Sequence, residues 1–223
     1  MITVHHLENS RSQRILWLLE ELGVDYDLVR YARDEATKLA PPDLSKIHPL
    51  GKAPVVTDGD VTVAESGAII EYLVEQYDDG RLRPPAGTPE RRAYTYWLHY
   101  AEGTFMPLMI LSLVLRRIDS APMPFFIKPI ARGITGKVRA GYLDANVELN
   151  LRFMESSLEG QDWFCGPDFT AADIQMSFAI EAAAVRSDLS ATCPRLADFL
   201  ERIQARPAYA AALEKGGPYA LMG

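Results

Sequence analysis

Gly51-Lys52-Ala53-Pro54-Val55-Val56, then Thr57-Asp58-Gly59-Asp60, Val61-Thr62-Val63 and finally Glu65-Ser66, carries a run of local signals that fit together. Pro54 has no N–H to give a sheet ladder, so it belongs at the first residue of a strand or on an edge. Val55-Val56 and Val61-Thr62-Val63 are β-rich, and the Asp58-Gly59 pair between them is a hairpin signal. Ser66 precedes Ala68, Ile69, Ile70, Tyr72 and Leu73, which repeat at helical spacing, so Ser66 reads as a helix start. Such a start offers free backbone N–H groups to a carboxylate. Extended backbone beside an anion site suits a small peptide that carries a free carboxylate.

Towards the N-terminus, Ile2 to Leu7 reads as a first strand. Ser10-Arg11-Ser12-Gln13 leads into a helical stripe of Ile15, Leu16, Leu18, Leu19 and Leu22, closed by Gly23. Tyr26 to Val29 reads as a second strand. Glu35 to Ser45 reads as a weaker helix interrupted by Pro41-Pro42, and the helix from Ser66 runs to about Tyr77. The order β-α-β-α-β-β-α predicts a parallel strand pair with a crossover helix.

Towards the C-terminus, Asp79 to Pro89 is a linker rich in proline and glycine. Beyond it no strand pair is evident. Glu90 to Arg117 reads as one long helix bent at Pro107, Ser120 to Pro129 as a proline-rich aromatic segment, and Lys137 to Leu158 as a further helix. Phe169-Thr170-Ala171-Ala172-Asp173-Ile174 is a helix start in which Thr170 caps and Asp173 reaches back, with Phe169 and Ile174 at the staple positions. Two shorter helices follow, Pro194 to Ala205 and Pro207 to Lys215. The expected layout is an α/β domain over residues 1–79, a linker over 80–88 and an all-α domain over 89–223.

The 223 residues are 48% hydrophobic and 24% charged, as in soluble globular proteins. A net charge of −7 weighs against nucleic acid or an anionic membrane as the main partner. Two cysteines, Cys165 and Cys193, exclude a disulfide scaffold and suggest a reducing compartment. His5, His6, His48 and His99 show no metal-ligand spacing, so no metal is expected and these read as structural or exposed residues. Met1 to His6 lacks the basic-then-apolar layout of a signal peptide. The apolar run from Phe105 to Leu115 is shorter than a bilayer span. A cytoplasmic location is expected.

With these residues in view, the chain resembles the glutathione transferases over nearly its whole length. The resemblance rests on the Gly51 to Val55 loop, Glu65-Ser66, the linker and Thr170-Ala171-Ala172-Asp173. Ser10 to Leu22 looks most like the bacterial and fungal serine-type members. It implies a thioredoxin-like N-terminal domain, an all-helical C-terminal domain, and a homodimer binding glutathione at each N-terminal domain. Ser10 then matches the serine that contacts the glutathione sulfur, although Asn9 and Ser12 remain alternatives. Ala53 matches the residue before the cis-proline, whose backbone pairs with the cysteinyl part. Glu65 and Ser66 match the pair that receives the γ-glutamyl amine and carboxylate, and Lys52 a position that reaches the glycyl carboxylate. A second-helix cation often assists there; Lys38 and Leu39 are nearest by count. Glu102 matches an acid that reaches the partner subunit's glutathione amine.

Only the thiolate of glutathione is a good nucleophile, and helix N-termini and cations lower a thiol pKa. Ser10 at the start of the first helix, with Arg11 beside it, suits that task. The expected activity is conjugation of glutathione to small hydrophobic electrophiles, with glutathione-dependent peroxide reduction beside it. Taken singly, the signals are ordinary: a serine before a helical stripe usually caps it, and X–Pro bonds are usually trans. Their joint order carries the functional reading. Disulfide exchange with glutathione would want a cysteine near position 10, where Asn9 and Ser10 stand. A non-catalytic carrier of glutathione or hydrophobic ligands, or an interaction scaffold, is the alternative. Phe105, Met106, Met109 and Leu113 share one side of the long helix. Met123 to Pro129 reads as a lid, a dimer contact or a membrane-touching element.

Overall fold

The computed structural model describes residues 1–186, 188–217 and 219–220. Among them, every strand falls in the first 64 residues. β1 (Ile2–Leu7), β2 (Tyr26–Tyr31), β3 (Val55–Asp58) and β4 (Val61–Ala64) form one sheet in the order β2-β1-β3-β4. β1 and β2 are parallel, as the crossover helix α1 (Gln13–Leu22) between them requires, and β3 and β4 pair antiparallel. With α2 (Leu44–Ile47) and α3 (Ser66–Tyr77), this is the thioredoxin-like order that the sequence predicts. Gly23 ends α1 with φ +67° and returns its N–H to the Leu19 carbonyl, a conformation that glycine adopts without a Cβ penalty.

One predicted element is largely replaced. Glu35 to Ser45 does not form a helix; only Leu44 to Ile47 does. Asp34 Oδ1 accepts from Ala36 N, Thr37 N and Thr37 Oγ1, which closes a turn, and Lys38 then takes φ +59°. Pro41 and Pro42 have no N–H to continue a helix, so the chain restarts only after them.

Beyond residue 88 the chain is helical. α4 (Pro89–Tyr100), a π-helical turn (Ala101–Phe105) and α5 (Met106–Ser120) run on as one helix of 32 residues. Its irregularity lies at Ala101–Phe105, one turn ahead of the expected bend at Pro107. By length and composition this helix is apolar enough to cross a membrane. Here Tyr94, Trp97, Phe105, Met106 and Met109 are buried in the protein core. α6 (Lys128–Val138) starts nine residues earlier than predicted and passes through a second π-helical turn (Arg139–Leu143) into α7 (Asp144–Ser157).

α8 (Ala171–Ala184) is buried from Ala171 through Ala183 and packs on α1, α3, α4 and α5. A helix apolar on all sides belongs at a core centre. Its start is the expected capping box. Asp173 Oδ2 accepts from Thr170 N (2.8 Å) and Thr170 Oγ1 (2.9 Å), and Oδ1 accepts from Phe164 N (2.9 Å). Burial pushes this carboxyl up to about 6 against those bonds.

The chain then returns to its own beginning. α9 (Leu189–Thr192) and α10 (Pro194–Gln204) lead to α11 (Pro207–Gly216), which packs along α1. Trp17 is edge-on to Tyr209 at 5.2 Å, and Arg206 donates to Glu21 through Nε and Nη2. A Cβ on Gly216 would meet the end of the Gln13 side chain, so α11 approaches α1 closely there.

Candidate active site

Strand register brings the site together. His5 pairs with Val55, and Val55 pairs with Ala64. The C-terminal end of β1, the N-terminal end of β3 and the C-terminal end of β4 therefore lie at one edge of the sheet. Ser10 follows the first, Ala53-Pro54 precedes the second, and Glu65-Ser66 follows the third. The Ala53–Pro54 bond is cis. Lys52 is exposed and Ala53 half-buried beside it. Lys38 and Leu39 are both exposed and precede α2, so neither lies on the helix where the sequence reading places it.

Glu65 occupies the N-cap position of α3 with φ +71°, a region that non-glycine residues rarely adopt. Such backbone conformations concentrate at ligand sites. The N–H groups of Ser66, Gly67 and Ala68 precede the first intrahelical bond, Ile69 N to Glu65 O, and are open to an anion. Ser66 Oγ is buried and accepts from Arg14 Nη2 at 2.6 Å. That leaves its own O–H to donate to a ligand carboxylate.

Arg14 is the residue that sequence reasoning missed. Its side chain is 2% exposed. Nη1 donates to the Gln175 carbonyl at 2.6 Å, and Nη2 bonds both Ser66 Oγ and Glu102 Oε1. Arg11 Nε donates to both oxygens of Glu102, at 3.0 and 2.9 Å. Both guanidinium groups also lie over the Phe178 ring, 5.4 and 5.6 Å from its centroid. Two cations thus share one carboxylate where α1, α3 and α8 meet. Burial raises the pKa of Glu102, but Arg14 and Arg11 more than reverse this and hold the carboxyl below its ordinary value. The π-helical turn that carries Glu102 is a feature common at functional sites. Within its own subunit Glu102 is held by both guanidinium groups and still reaches the cavity wall. The signal was available: Arg14 sits four residues before Leu18 on the apolar stripe of α1, and a buried charge requires partners.

Ser10 is buried, with Oγ 2.7 Å from Ser12 Oγ and accepting from Ser12 N at 3.2 Å. Ser12 Oγ lies 2.8 Å from His6 Nδ1 and donates to the Leu7 carbonyl. Burial pushes His6 down to about 4, so the imidazole is neutral at physiological pH. A continuous path His6–Ser12–Ser10 therefore sits behind the loop, and His6 is part of it. Neither serine caps α1 through its side chain: Ser12 holds the N-cap position with αR backbone and makes no cap bond. Asn9 takes φ +49°, and its Oδ1 accepts from Ala220 N at 2.7 Å.

A cavity of about 370 Å³ opens between α3 and α4, and Glu65, Gly67, Ala68, Glu102 and Gln175 are among its walls. It unites the amine-binding candidates Glu65 and Glu102 but excludes Ser10, Lys52 and Ala53. A second cavity, about 540 Å³, lies elsewhere, between α5, α7 and α8. Met109 lines it and, like Phe105 and Met106, is buried in the core.

A mixed sheet of this order, a cis-proline edge beside a helix N-terminus and a following helical unit define a thioredoxin-like, two-part architecture. The glutathione S-transferase N-terminal domain pattern matches residues 1–75, and the C-terminal domain pattern matches residues 131–216. Glutathione S-transferase 3 of Schizosaccharomyces pombe is 40% identical over 82% of this chain and 74% of its own length. Glutathione S-transferase 1 of Saccharomyces cerevisiae is 32% identical over 96% of this chain and 95% of its own. A glutathione S-transferase structure from Actinobacillus pleuropneumoniae superposes with a TM-score of 0.80 at 37% identity, covering 97% of this chain and 93% of that one. The chain belongs to the glutathione S-transferase family.

Proposed function

We propose that the protein is a glutathione transferase that adds the glutathione thiolate to small hydrophobic electrophiles. The observation that carries this reading is the convergence of Ser10, Ala53-Pro54 and Glu65-Ser66 on one sheet edge, with the buried Arg14 bonded to Ser66. The γ-glutamyl carboxylate binds the free N–H groups of α3 and the Ser66 hydroxyl, while Glu65 takes the ammonium. The backbone at Ala53 pairs with the cysteinyl residue, and Lys52 takes the glycyl carboxylate. The sulfur then lies at Ser10, whose hydroxyl turns from Ser12 to donate to it.

The thiol proton leaves to solvent. The α1 N-terminus and Arg11 favour the anion that remains. Each pKa unit removed from the thiol is about 1.4 kcal/mol of preferential thiolate binding. The thiolate then forms the C–S bond; on an aryl halide the halide departs, and on an enal a proton is taken up at the adjacent carbon. Orientation of the sulfur and stabilisation of its charge supply the gain. Peroxide reduction uses the same thiolate, which takes one peroxide oxygen and releases the alcohol; a second glutathione then displaces water to give glutathione disulfide. The assembly we propose is a homodimer in the cytoplasm.

The test is a pH titration of the ultraviolet thiolate absorbance of glutathione mixed with the protein. Support is a saturable signal with a pKa clearly below that of free glutathione, together with turnover of aryl halides, enals or isothiocyanates. Binding without a depressed pKa or turnover would make the protein a carrier, and absence of binding would reject the site.

A further inference from the structure

The segment from Arg116 to Arg139 differs from the rest of the chain in two respects at once. It holds six Lys/Arg and a single Asp, within a chain of net charge −7. It also exposes large apolar side chains: Phe125 is 84% exposed, and Phe126, Ile130 and Ile134 each exceed 60%. The single acid, Asp119, is already used, because Arg139 Nη2 and Thr135 Oγ1 both donate to it, at 2.8 and 2.5 Å. Arg117, Lys128, Arg132 and Lys137 are left as exposed cations.

The arrangement is directional. Ile127, Ile130 and Ile134 fall on one face of α6 at helical spacing, and by 3.6-residue geometry Lys128 and Lys137 flank that face on its two sides. Of this helix only Thr135 is buried. Phe125 and Phe126 stand at the tip before it, edge to face at 5.6 Å, between Pro124 and Pro129. These side chains project outwards. Apolar side chains flanked by free cations match a lipid interface with anionic headgroups. The average charge of the chain conceals this asymmetry, and the acidic remainder would be repelled, which orients the molecule tip-first.

We propose that this tip is a membrane-docking element. Phe125, Phe126, Ile130 and Ile134 insert at the headgroup boundary of an anionic bilayer, while Lys128 and Lys137 bind its phosphates. The inference is independent of the transferase reading, because its test reads binding alone.

The experiment is co-sedimentation of the full chain with vesicles of phosphatidylcholine, with and without phosphatidylglycerol. Expected is binding to the anionic vesicles that falls roughly tenfold or more without phosphatidylglycerol or at high salt. Phe125→Ser with Phe126→Ser should weaken it by roughly tenfold, and Lys128→Glu with Lys137→Glu should remove the preference for anionic lipid. All four positions are exposed, so unchanged unfolding midpoints are expected and serve as the control. Failure of the wild type to bind would overturn the proposal, as would binding that survives the aromatic pair. So would sedimentation velocity showing that the aromatic pair dissociates an oligomer, which would make the tip an interface between copies.

Discussion

Replacing Arg14 by methionine removes a buried charge but keeps much of its volume. The structure gives the expected cost. Arg14 makes three charge-assisted contacts, to the Gln175 carbonyl, to Ser66 Oγ and to Glu102. Hydrogen bonds to charged groups contribute about 1.5–3 kcal/mol each. The sum is reduced because methionine escapes the desolvation of the guanidinium. Glu102 also keeps both bonds to Arg11. A net loss of about 3 kcal/mol remains. With an unfolding entropy of about 2.1 cal/mol/K per residue, that corresponds to a fall in Tm of roughly 6 °C. The assay is urea denaturation of wild type, Arg14→Met, Glu102→Gln and the double variant. The expected coupling energy is about 1 kcal/mol or more. Glutathione KM should rise as well, because Ser66 loses the bond that fixes it. Single effects below about 0.5 kcal/mol that simply add would refute the account of Arg14 as the link between α1, α3 and α8.

Ser10→Ala should lower turnover and return the pKa of bound glutathione towards about 8.5, with little change in affinity. Glu65→Ala should raise glutathione KM by roughly tenfold, the loss of one charge-assisted bond, and spare kcat; the opposite split would mean the two roles are reversed. Glu102 is held below its ordinary value of 4.5 in the folded protein, so its contribution is present above that pH and is lost as pH falls through the lower folded value. Acid titration of stability should therefore show a shallower decline in Glu102→Gln than in wild type. Asp173→Ala strands the N–H groups of Phe164 and Thr170 and should cost about 3 kcal/mol, read as a shift in urea midpoint with catalysis per folded molecule retained.

The sheet, the hairpin, the linker and the α8 capping box were legible because each is written in local chemistry: Pro54, Asp58-Gly59, the proline-rich 84–89 stretch, Thr170 with Asp173. The element between β2 and β3 was not, because Asp34 offers its carboxylate to three nearby donors and so competes with a helix. The positions of Ser10, Ala53 and Glu65-Ser66 were legible because each flanks a strand end. The site was illegible where it depends on tertiary approach. Arg14 meets Glu102 across 88 residues of sequence, and His6 meets Ser12 only because the chain turns back after β1. Helical periodicity likewise placed Met109 on the right helix without revealing which cavity it lines.

The packing of α11 along α1 has a consequence for synthesis. The first 77 residues include the whole sheet and α3, and they leave the ribosome long before Pro207 to Gly216 is made. At about 5–20 residues per second, the delay is on the order of ten seconds. Throughout it the face of α1 that bears Gln13 and Trp17 is bare, and Glu20 and Glu21 lack Lys215 and Arg206. The nascent thioredoxin-like unit therefore has an open apolar seam. Chaperones and neighbouring nascent chains can reach it, and α11, made late, is the helix that closes it.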